Sequence, residues 1–127
     1  MRIINCLNLT RDQHIYIMGL IAEESGIQKF ITQKYMKQID SLSLSYKNKS
    51  DSLKSVLNPE DYKKRMIELN RSFILEKNTI VQKLNKIIYS RNNELYYAIS
   101  LNLNPNQKTI FEEWIKTGKV KCSPFKP

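Results

Sequence analysis

Apolar side chains recur along this chain at intervals of three and four residues. Ile27, Ile31, Tyr35, Ile39 and Leu42 form one such series, with Phe30 beside it. Tyr62, Met66, Leu69 and Phe73 form a second, which Ile80, Leu84, Ile87, Ile88 and Leu95 continue. That spacing lays an apolar stripe along one side of an α-helix, whereas a half-buried strand would alternate residue by residue. Strict alternation over a strand's length is rare here, and neither Asn-Gly nor Asp-Gly occurs as a hairpin turn. The pattern predicts an all-α fold, and such stripes are core far more often than cofactor boxes.

Three helix-start signals divide the chain. In Leu9-Thr10-Arg11-Asp12-Gln13, Thr10 can cap a helix while Gln13 returns a hydrogen bond in a capping box. In Asn58-Pro59-Glu60-Asp61, proline follows the cap at the position where its missing N–H costs nothing. In Leu103-Asn104-Pro105-Asn106-Gln107, cap, proline and glutamine appear together. The expected helices are therefore about 11–46, about 59–100 and about 105–117, the last stopped by Gly118. Gly19 and Gly26 each cost about 1 kcal/mol relative to Ala in a helix interior, so Glu24-Ser25-Gly26 reads as a kink or as a true break. Residues 43–58, rich in Ser, Lys and Asn, read as an exposed connection, and 119–127 as an extended tail.

Helices of roughly 36 and 42 residues would be about 54 and 63 Å long. Such a long antiparallel hairpin with a short third helix is a thin single domain that leaves apolar stripe uncovered. It should dimerise, or curve and offer its open face to another molecule.

Charge sharpens this picture. Lys and Arg number 21 against 12 Asp and Glu, a net charge of +9. Residues 1–46 carry a net +1, residues 47–100 a net +5 and residues 101–127 a net +3. A basic second half implies acidic partners, or is a plain solvated face. No apolar run approaches the ~20 residues of a membrane span. The start Met1-Arg2-Ile3-Ile4-Asn5-Cys6 turns polar too soon for a secretory signal, as it also would in a mature exported chain.

The first and third start signals share letters as well as mechanism. Leu-Asn-Leu-(Thr/Asn)-x-x-Gln stands at 7–13 and again at 101–107, the second copy followed by Ile110-Phe111. Two independent capping boxes would account for this. With the long helix, polar turn and second long helix between them, the pattern resembles the Spy/CpxP family of bacterial periplasmic proteins and the related CnrX-type metal-resistance sensors. The likeness covers about residues 7–117, and it departs at Asn104, where that family usually has Thr, with the capping chemistry kept. It implies a periplasmic all-α hairpin that dimerises into a curved cradle. Spy-like members hold unfolded polypeptides there without ATP, and CpxP-like members also inhibit an envelope-stress sensor kinase. The residues that suit such a client-binding surface are Lys29, Lys34, Lys37, Lys63, Lys64, Arg65, Arg71 and Lys83, with Tyr35, Met36 and Phe73 as apolar neighbours.

Other chemistry is thinly represented. The only histidine, His14, lies four residues from Met18 on one helix face, two ligands of the kind the CnrX branch uses but no complete metal site. There is no Gly-rich phosphate loop, His-Glu-x-x-His or Gly-x-Ser-x-Gly, so neither catalysis nor a cofactor is expected. Cys6 and Cys122 would bridge the N-terminal arm to the tail in an oxidising compartment, and would be two plain thiols in the cytosol. The competing function is a cytoplasmic basic helical protein that binds nucleic acid or an acidic protein. Its only recognition-helix candidate is the third helix, with Asn106, Gln107, Lys108 and Lys116, and there Phe111, Trp114 and Ile115 read as a packing face.

Overall fold

A computed structural model describes residues 2–119. A short 3-10 helix, Arg2–Cys6, precedes three α-helices: α1 Arg11–Val56, α2 Pro59–Ser100 and α3 Pro105–Thr117. No strand occurs among the described residues, and α1 and α2 pack together. No helix of the described residues is long and apolar enough to cross a membrane.

Each α-helix opens on a side-chain cap. The Gln13 N–H donates to Thr10 Oγ1 at 3.2 Å, Asp61 N–H to Asn58 Oδ1 at 2.8 Å, and Gln107 N–H to Asn104 Oδ1 at 2.8 Å. These bonds satisfy donors that a helix start leaves without an intrahelical partner. α3 ends at Gly118, whose φ of 68° is the left-handed conformation that glycine adopts freely, and its N–H donates to the Trp114 carbonyl.

α1 differs from the sequence reading in two ways. It runs ten residues past 46 to Val56, leaving only Leu57 and Asn58 as connection. The polar letters of 43–58 conceal a continued stripe, because Tyr46, Ser50 and Leu53 are all half-buried. Ser50 belongs to that stripe through its hydroxyl, which lies 3.1 Å from the Tyr62 hydroxyl and donates to Met66 Sδ at 3.2 Å. α1 also passes through Gly19 and Gly26 without interruption. A penalty of about 1 kcal/mol per glycine is small beside the backbone hydrogen bonds a break would forfeit. Next to Gly26, Arg91 grips Glu24 with two bonds of 2.6 and 3.0 Å.

The contacts group the described chain into two compact units. The first comprises residues 2–26 and 91–119 and holds almost all of the fully buried side chains. Ile3, Ile17, Ile99 and Phe111 are wholly enclosed, with Ile4, Cys6 and Leu7 beside them. Phe111 stacks on Trp114 with centroids 5.7 Å apart, and the Tyr96 ring meets both edge-on. Ring pairs of this kind contribute about 0.5–1.5 kcal/mol each beyond the area they bury.

The second unit comprises residues 27–90, from α1 and α2 only, and of these Ile39 alone is buried. Its seam is a line of half-buried contacts: Ser50 with Tyr62 and Met66, then Tyr46 edge-on to Phe73 at 5.5 Å. Two helices have no third layer to close over them here. Truncating the enclosed ring should accordingly be severe: Phe111→Ala is expected to lower unfolding free energy by about 3–5 kcal/mol in urea titrations, a large fraction of the ~5–15 kcal/mol of a typical domain.

Candidate functional site

The two repeated motifs meet in the first unit. Gln13 and Gln107, 94 residues apart, place their carboxamides head to tail, each Nε2 donating to the other's Oε1 at 3.0 and 3.2 Å. Each Oε1 also accepts the backbone N–H of its own cap residue, Thr10 at 2.9 Å and Asn104 at 3.0 Å. Each Nε2 then reaches across to the other motif's backbone. Gln13 donates to the Asn102 carbonyl at 2.8 Å, and the second N–H of Gln107 is shared between the carbonyls of Leu7 at 3.0 Å and Asn8 at 3.3 Å. Asn8 and Asn102 are equivalent positions of the repeat, so the exchange has near two-fold symmetry. Asn8 adopts a φ of 50°, a left-handed conformation that asparagine tolerates better than most residues.

This arrangement explains the glutamines. A carboxamide carries two donors and a two-lone-pair acceptor, and Gln107, only 6% exposed, uses both kinds of group on named partners. No buried side-chain nitrogen or oxygen among the described residues lacks a partner. The capping boxes expected from the sequence are therefore not independent, and no local spacing could have indicated the contact between them. The pair Glu24–Arg91 was equally invisible, its members standing 67 positions apart. The hydrogen bond to Glu24 raises the Arg91 pKa, against the opposing effect of burial.

All eleven client-surface candidates fall in the second unit. Lys29, Lys34, Met36, Lys37, Lys63, Lys64, Arg65, Arg71 and Lys83 are exposed, while Tyr35 and Phe73 are half-buried. Phe73 packs on Tyr46, whose phenol is pushed to higher pKa by burial and further by the Glu76 carboxylate. The open apolar side chains of this unit are mostly others: Phe30 at 69% exposed, Ile67 at 62%, Leu75 at 63% and Tyr89 at 70%, together with Leu44 and Ile74. Phe30 stood beside the first helical stripe, yet its outward direction could be told only from the packed helix. Residues 27–90 also hold thirteen basic and six acidic side chains, so +7 of the net +9 lies there.

His14 and Met18 are both exposed on α1, and no three His, Cys, Asp or Glu side chains of the described residues gather as metal ligands. In α3, Phe111 is enclosed and Trp114 half-buried, but Ile115 is exposed rather than packed. Gln107 is spent on the carboxamide exchange, so α3 presents Asn106, Lys108 and Lys116 without it. Cys6 is buried and disulfide-bonded, and its expected partner Cys122 lies outside the described residues. No family model, curated protein or solved structure matches the chain.

A double-mutant cycle tests the exchange. Gln13→Ala and Gln107→Ala are expected to show a coupling of about 1–2 kcal/mol in urea unfolding, within the range for residues of one hydrogen-bond network. Two independent capping boxes would instead give strictly additive losses.

Proposed function

We propose that the chain is a non-enzymatic, ATP-independent holding protein of the Spy/CpxP kind, an antiparallel hairpin that pairs with a second copy and binds unfolded or partner polypeptides in the periplasm. What carries this reading is the second unit, in which large apolar side chains stand open among thirteen cations and almost nothing is buried. Large apolar side chains left open beside charge can serve another molecule as an interaction surface. Long-range attraction gathers acidic or partly unfolded chains, and many small apolar contacts then hold them without a rigid pocket. The repeated Leu-(Thr/Asn)-x-x-Gln motif resembles the family's signature, with Asn104 in place of its usual Thr, and a disulfide at Cys6 suits an oxidising compartment. Nucleic-acid reading by α3 is weaker, because Gln107 is occupied elsewhere.

Near-stoichiometric protein should suppress light scattering by a reduced, aggregation-prone model protein without ATP. Combining Phe30→Ser, Ile67→Ser and Leu75→Ser should remove at least half of that capacity, while circular dichroism shows the helical signal kept. Unchanged suppression by this variant would refute the assignment of the surface.

Cys6 and Cys122 are proposed to form the disulfide. Mass spectrometry of the unreduced protein should find a Cys6–Cys122 cross-linked peptide and no alkylated thiol. Reduction should lower stability, by up to about 4–5 kcal/mol for a loop of this length.

A further inference from the structure

A cleft of about 660 Å³ opens between α1 and α2 inside the second unit, near their two-residue connection. Its volume falls within the range of small-ligand and peptide subsites. Leu53 and Leu69, both half-buried, give it an apolar floor. Lys49 and Arg65 line it as cations, and Glu68 is its only acid. The hydroxyl of Ser45 and the carboxamide of Asn48 also line it. Arg65 meets Glu68 at 3.4 Å, but both are largely exposed, so the pair is weak and the guanidinium is free to exchange partners. The Lys49 ammonium sits 4.9 Å from the Tyr46 ring centroid, a cation–π contact that leaves its charge unneutralised.

We infer that this cleft is a socket for acidic–apolar segments of a polypeptide, a carboxylate side chain lodging between Arg65 and Lys49 while a neighbouring apolar side chain covers Leu53 and Leu69. The inference rests on the holding function proposed above and names the segment chosen. Arg offers a planar fork that matches a carboxylate in two bonds, and Lys adds a point charge. Asn48 supplies both a donor and an acceptor, the complement of a peptide unit. A nucleic acid fits these walls less well, since no aromatic ring lines the cleft for a base to stack on and only one arginine is present.

The test is fluorescence anisotropy with the full chain and two labelled peptides, one alternating Glu with Leu and the other alternating Gln with Leu. The acidic peptide should bind at least fivefold more tightly. Lys49→Gln and Arg65→Gln should each weaken it three- to tenfold and leave the amide peptide unchanged. Lys77→Gln removes the same charge from an exposed site of the same unit outside this cleft and should change binding less than twofold. Equal losses from Lys77→Gln, equal binding of the two peptides, or tighter binding of a single-stranded oligonucleotide would each overturn the socket. If the chain still suppresses aggregation in that case, holding stands and only the choice of segment falls.

Discussion

Gln13 and Gln107 join the two repeated motifs of the first unit through a single pair of carboxamides. Each glutamine caps its own helix with its oxygen and anchors the other motif with its nitrogen. Local capping and long-range closure are thus one interaction. With the carboxamides in place, the Leu-Asn-Leu segments before α1 and α3 are fixed in register, and Leu7 and Phe111 enter the same core. Losing either carboxamide would strand backbone groups in a partly buried place, where an unpaired polar group costs about 1–3 kcal/mol.

The enclosed core and most of the positive charge are drawn from different parts of the chain. The first unit has enclosed aliphatics, an aromatic trio and a buried disulfide-bonded cysteine. The second has one buried residue, a half-buried seam and most of the net charge. A two-helix layer cannot bury both of its faces, so apolar side chains at its outer positions stay wet unless another molecule covers them. That condition would be a liability in an inert scaffold and is useful in a protein that grips other chains loosely. High positive charge accompanies it, and a field of that sign attracts acidic molecules in general.

Much of the fold was legible because helices announce their own starts. Thr10, Asn58 and Asn104 all cap where their spacing indicated, and Gly118 ends α3. The end of α1 was hidden because Ser50 holds a seam position by hydrogen bonding, which a count of apolar letters omits. Ile3 and Ile4 were hidden for a different reason. They precede the first cap, yet they sit in a 3-10 helix whose side chains fill the core. In the surface proposed for binding, the exposed positions of the lysines could be read from the sequence, but those of the apolar side chains could not. Tyr35 and Phe73 turn partly inward, and Phe30, Ile67 and Leu75 turn outward, a division set by helix packing.

The carboxamide exchange can be observed directly in the side-chain NH₂ region of an ¹H–¹⁵N NMR spectrum. The Nε2 protons of Gln13 and Gln107 should be dispersed from the other glutamines, exchange slowly with water and show cross-peaks to each other. Averaged shifts with fast solvent exchange for both residues, in a chain that remains helical, would mean that the motifs are separate caps and that the unit is closed by something else.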